Sequence, residues 1–153
     1  MGKSKEHIVP LQPIEDGHRL WIGIDTGVHT GMAIWNTKTK TLTIKTVKIH
    51  QAMDEIRNLM GLYPKHISVR FEDARQRRWY GKAGKEQLQG AGSIKRDCTI
   101  WEDFLKDYGI PFQAIAPRHN RTKLNKLKFA AITGYKGQSS EHARDAAMLV
   151  FGL

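Results

Sequence analysis

The hydrophobic pattern of the chain begins at Leu20. LWIGID (20–25) and GMAIWN (31–36) are apolar runs of strand length either side of a glycine-bearing turn, and TLTIKTV (41–47) alternates, with threonines and lysine around Leu42 and Ile44. Joined by short turns, the three predict an antiparallel meander. In HQAMDEIRNLMGL (50–62) the period changes: Met53, Ile56, Leu59 and Met60 have helical spacing, and Gly61 stands where such a helix would end. HISVRFED (66–73) returns to period 2, with Ile67, Val69 and Phe71 on one face and Glu72 at the C-terminal end. From about Glu86 to Tyr108, the positions Leu88, Ala91, Ile94, Cys98, Trp101, Leu105 and Tyr108 recur every three or four residues and predict a long amphipathic helix. Its LQGAGS stretch is rich in glycine, which costs about 1 kcal/mol per residue relative to alanine, so close packing against a neighbour is expected there. IPFQAIAP (110–117) reads as a fifth strand and KLNKLKFAAI (123–132) as a helix. SSEHARDAAMLVFGL (139–153) reads as a final helix whose serines suit an N-cap.

This order predicts an α/β fold: a five-stranded mixed sheet, antiparallel in its first three strands, with parallel crossovers and flanking helices. It matches the ribonuclease H-like fold. Residues 1–18 carry two prolines and no period and read as a tail or arm, leaving 19–153 as one domain. The chain has 153 residues and 40% hydrophobic content, enough for a single core. Its one cysteine, Cys98, excludes an intrachain disulfide and a cysteine-based zinc cage. No stretch approaches the roughly 20 apolar residues of a membrane span, and the start MGKSKEHIVP lacks the apolar core of a secretory signal. A soluble, cytoplasmic protein is expected.

Charge narrows the partner. Lys and Arg total 25 against 15 Asp and Glu, a net +10, which attracts polyanions. Two basic segments contain no acid. ARQRRWYGKAGK (74–85) combines Arg75, Arg77, Arg78, Lys82 and Lys85 with Trp79 and Tyr80, the mixture that binds phosphates and stacks on unpaired bases. The second runs from Arg118 to Lys136 and includes Arg121, Lys123, Lys126 and Lys128. A charge run is usually a solvated face, yet two of them flanking one candidate site favour contact with nucleic acid.

That candidate site consists of Asp25 in the first strand, Glu72 ending the fourth, and His142 and Asp145 in the final helix. If strands one and four are neighbours the two carboxylates converge, and residues at i and i+3 share one helix face. Clustered carboxylates stay ionised together only beside a cation, and oxygen-rich donors suit Mg2+ or Mn2+. Two such ions can hydrolyse a phosphodiester. Each residue also has a structural reading: Asp25 as an Asx-type turn former, Glu72 as a solvated strand end, His142 as a surface cap, and Asp145 as an ion-pair partner of Arg144 or Arg121. Jointly they favour a site.

The stretches IGIDTGVHTGMAIW (22–35), ISVRFED (67–73), GKEQLQGAGSIKRDC (84–98) and TGYKGQSSEHARDAAMLVFG (133–152) together resemble the RuvC-type Holliday junction resolvases, particularly the small phage and prophage forms. The resemblance spans about Leu20 to Leu153. It implies that Asp25, Glu72, His142 and Asp145 are the catalytic, metal-binding positions, that two Mg2+ or Mn2+ ions are used, and that a homodimer cuts branched DNA. Many relatives have aspartate where this chain has His142, and imidazole suits manganese better than magnesium. Trp79 or Tyr80 would stand at the junction centre, further from Glu72 than in typical members. Gly27 is expected to turn the chain, and Gly31 to leave room for the DNA backbone. The alternatives are a non-cleaving DNA-binding module on the same fold and a related nuclease acting on RNA or RNA-DNA hybrid. A kinase-like reading of DTGVHTG as a phosphate loop needs a second domain that 153 residues do not hold.

Overall fold

The computed structural model describes residues 17–76, 85–120 and 123–153, with only the backbone described along 85–91 and at Arg118. Five strands form one sheet in the order β3-β2-β1-β4-β5. They are β1 Leu20–Asp25, β2 His29–Asn36, β3 Thr41–Lys48, β4 Ile67–Glu72 and β5 Phe112–Ile115. β2 pairs antiparallel with both β1 and β3, whereas β1 with β4 and β4 with β5 are parallel. The mixed α/β sheet expected from the pattern is therefore present, with β1 and β4 adjacent.

Period-2 alternation divides the sheet between two cores. Leu20, Ile22 and Ile24 of β1 and Ile67, Val69 and Phe71 of β4 point to a face covered by α1 (Ile49–Leu62) and α2 (Lys85–Asp107), where Ile56, Cys98, Trp101 and Leu105 are buried. Trp21 of β1 and Ala33 and Trp35 of β2 pack on the other face against Phe129 of α3 (Lys126–Thr133) and Ala143, Ala146 and Ala147 of α4 (Glu141–Met148). By the same alternation, Asp25 and Glu72 belong to the α4 face.

α4 lies unusually close to the sheet. A Cβ at Gly31 would collide with the His142 carbonyl, and one at Gly23 with the Ala146 carbonyl. This corrects the expectation that Gly31 makes room for DNA: the space it leaves is filled by the helix backbone. Gly27, by contrast, turns the chain as expected, at φ 154°, and Thr30 closes that turn by donating its hydroxyl to the Gly27 carbonyl at 2.8 Å. The Ser140 hydroxyl caps α4, accepting from Ala143 N at 3.1 Å.

Two helices differ from their expected form. α3 starts at Lys126 because the Asn125 side chain caps it, accepting from Lys128 N at 2.8 Å, while Lys123 upstream has φ 60°. In α2 the apolar stripe is narrower than the spacing suggests, since Ile94 and Tyr108 are exposed. Gly92 in its small-residue stretch faces open space, while the side chains of 88–91 lie outside the described residues.

Candidate active site

β1 and β4 run parallel with Ile24 opposite Phe71, which sets Asp25 beside Glu72 at the C-terminal ends of neighbouring strands, across a strand-to-strand spacing of about 5 Å. Both side chains face α4. Gly23 and Gly31 let that helix settle on β1 and β2, and one turn of it carries His142 and Asp145. His142 Nδ1 lies 2.9 Å from Asp25 Oδ2, a hydrogen bond in which the imidazole donates to the carboxylate. His29, at the start of β2, stacks on the His142 ring with centroids 6.5 Å apart.

The electrostatics show how close the acids are. Burial pushes the Asp25 carboxyl up to about 6; the His142 hydrogen bond opposes this, and the charges of Asp145 and Glu72 add to it. Asp145 is also raised, by burial first; the Lys123 N–H opposes that, and the charges of Glu72 and Glu141 reinforce it. Three mutually repelling carboxylates and an imidazole are a donor set suited to a hard divalent cation, and these four residues would hold it. Among the described residues, no group of three or more His, Cys, Asp or Glu side chains already forms a cation-binding arrangement. In its place stands the Asp25 and His142 pair.

Glu72 and Asp73 are adjacent in sequence and have different surroundings. Both are buried, which removes the reading of Glu72 as a solvated strand end. Asp73 is occupied by Arg75, whose backbone N–H and Nε donate to Oδ1 at 3.1 and 2.8 Å, and by Gln76. Burial works against the Asp73 charge, but these hydrogen bonds outweigh it and hold the carboxyl below its usual range. Arg75 also donates to Glu102 at 2.6 Å. Arg75, expected from sequence to contact nucleic acid, ties the end of β4 to α2, because two buried acids lie within its reach.

Of the two arginines expected to pair with Asp145, Arg144 does not, and Arg121 lies outside the described residues. Arg144 turns to the Leu124 carbonyl, at 2.7 Å, and to Ser139, while the Lys123 N–H donates to Asp145 Oδ1 at 2.9 Å. Lys126 Nζ donates to Gln138 at 3.2 Å on the exposed surface. Arg77, Arg78, Trp79, Tyr80, Lys82 and Arg121, with the side chains of Lys85 and Arg118, lie outside the described residues. Sequence patterns alone do not point to Asn120, whose Nδ2 donates to Glu72 Oε2 at 3.0 Å and to the Asp145 carbonyl at 3.2 Å. It sits in a basic loop where charge draws attention away from a neutral amide.

In comparison with known proteins, no family model matches the chain, and neither does any curated protein. No helix among the described residues is long and apolar enough to cross a membrane.

Proposed function

We propose that the chain is a divalent-metal-dependent endodeoxyribonuclease with a ribonuclease H-like fold, selective for four-way DNA junctions in the manner of the RuvC-type resolvases it resembles. The observation that carries this reading is the placement of Asp25 and Glu72 at adjoining strand ends on one face of the sheet, opposite His142 and Asp145 on α4. Parallel strands ending side by side are rigid supports for ligand groups. Asp25, Glu72, His142 and Asp145 are the residues that would hold two Mg2+ or Mn2+ ions. When bound, such ions supply an activated water and compensate charge on the leaving oxygen during phosphodiester hydrolysis. Asp25 and Glu72 provide fixed negative charge, the Lys123 N–H keeps the Asp145 carboxylate oriented, and the basic segments receive the DNA backbone.

The test is cleavage of a synthetic four-way junction with and without Mg2+ or Mn2+. Wild type cuts only with metal, and Asp25→Asn binds the junction without cutting it. A second reading draws on the Asp25 and His142 hydrogen bond: in a non-cleaving DNA-binding module that pair is a structural clasp. Junction binding with no cleavage in either metal would establish that reading instead. Competition among junction, duplex and RNA-DNA hybrid separates the related nucleases. A homodimer belongs to the same proposal, and sedimentation showing only monomer at micromolar concentration would contradict it.

A further inference from the structure

The geometry points to Asn120 as a positioning residue of this site: its amide fixes the Glu72 carboxylate relative to the Asp145 segment of α4, and its free oxygen is a receptor for a ligand's hydration shell. Asn120 follows the short 3-10 turn Pro117–His119 that leaves β5, so it joins a third parallel strand end to the site. One Nδ2 reaches two acceptors, Glu72 Oε2 at 3.0 Å and the Asp145 carbonyl at 3.2 Å. Both partners are acceptors only, so the amide has one tolerable orientation; flipping it would set oxygen against oxygen. Oδ1 is thereby turned elsewhere, and it is buried without a hydrogen-bond partner.

A buried acceptor left unpaired costs about 1–3 kcal/mol, so its persistence calls for a reason. A structural clasp between a strand end and a helix needs the Nδ2 contacts alone. The orphaned oxygen, on the same amide that holds Glu72, adds something a clasp does not need, an acceptor for a donor such as the water of a bound ion. The same loop aims the Lys123 N–H at Asp145 Oδ1 from a backbone with φ 60°, a conformation unfavourable for lysine. Asn120 and Lys123 thus grip the two acids from one loop. Outer contacts of this kind orient metal ligands, and removing them typically weakens metal binding about 10- to 100-fold.

This inference rests on the metal-site reading above, and its test separates the two. Mn2+ is titrated into the metal-free full chain by calorimetry for wild type, Asn120→Ala and Asn120→Ser, with thermal melting as a check on folding and junction cleavage measured across Mn2+ concentrations. Asn120→Ala is expected to bind Mn2+ about tenfold or more weakly, to need correspondingly more Mn2+ for half-maximal cleavage, and to keep the wild-type junction affinity. Asn120→Ser, with a shorter donor, falls between. Should wild type bind Mn2+ without cutting DNA while Asn120→Ala binds it more weakly, the nuclease reading fails and the role of Asn120 stands. Unchanged Mn2+ affinity in a folded Asn120→Ala overturns the role of Asn120 alone, and absence of Mn2+ binding by wild type overturns both.

Discussion

Asp25 is mostly buried, with a side chain 16% exposed, and its carboxyl is raised to about 6 from an ordinary 3.8. The folded metal-free protein therefore holds this proton more tightly than the unfolded chain does, and the Asp25 contribution to stability falls as pH rises between about 4 and 6. Asp73 behaves oppositely: its lowered carboxyl contributes stability above the unfolded value that is lost as pH falls through the folded one. Asp25→Asn should then stabilise the metal-free protein at pH 7.5 by about 1 to 2 kcal/mol and change little near pH 4, as read by urea unfolding at both pH values. A variant less stable than wild type at pH 7.5 would show that the hydrogen bond with His142 outweighs the cost of the buried charge. The four acidic and imidazole positions were legible from sequence because strand ends and i,i+3 spacing are local patterns. Asn120 was not, since its meaning depends on a hydrogen bond to Glu72, 48 positions away.

At the scale of elements, the central event is the seating of α4 on β1 and β2. Strand periods, helix periods and the serine cap foretold the five strands and four α-helices, but not the two 3-10 turns, nor that Gly23 and Gly31 face the helix backbone. Sequence shows that a glycine is present, and only tertiary structure shows what would strike its Cβ. Gly31→Ala must push the His142 carbonyl away, so it is expected to destabilise the protein by about 3 kcal/mol with no DNA present, and to impair cleavage through displaced His142. Had Gly31 served only to admit DNA, thermal stability would be unchanged while junction affinity fell. The limits of α3 and the narrower stripe of α2 show the same division. Asn125 could be recognised as a cap only once Lys123 was found in a left-handed conformation, and Ile94 and Tyr108 keep helical spacing although they reach solvent.

Across the whole molecule, a net charge of +10 accompanies a cluster of carboxylates. This arrangement favours a polyanion that is drawn in by the surface and meets the acids only where a cation screens them. Junction affinity should fall with salt, the slope reflecting the number of phosphates neutralised; Lys123→Ala with Lys126→Ala should flatten the log–log slope by about 0.9 for each phosphate that the variant no longer neutralises. A slope unchanged by the pair would remove them from the DNA interface. Arg75, held by Asp73 and Glu102, is expected to contribute to stability rather than to that slope. The most direct measurement for the central claim is cleavage of a synthetic four-way junction by wild type and Asp25→Asn, with Mn2+, with Mg2+ and with chelator. The account predicts paired nicks by wild type with metal only, and binding without cleavage by Asp25→Asn; cleavage retained by Asp25→Asn, or by wild type in chelator, would contradict it.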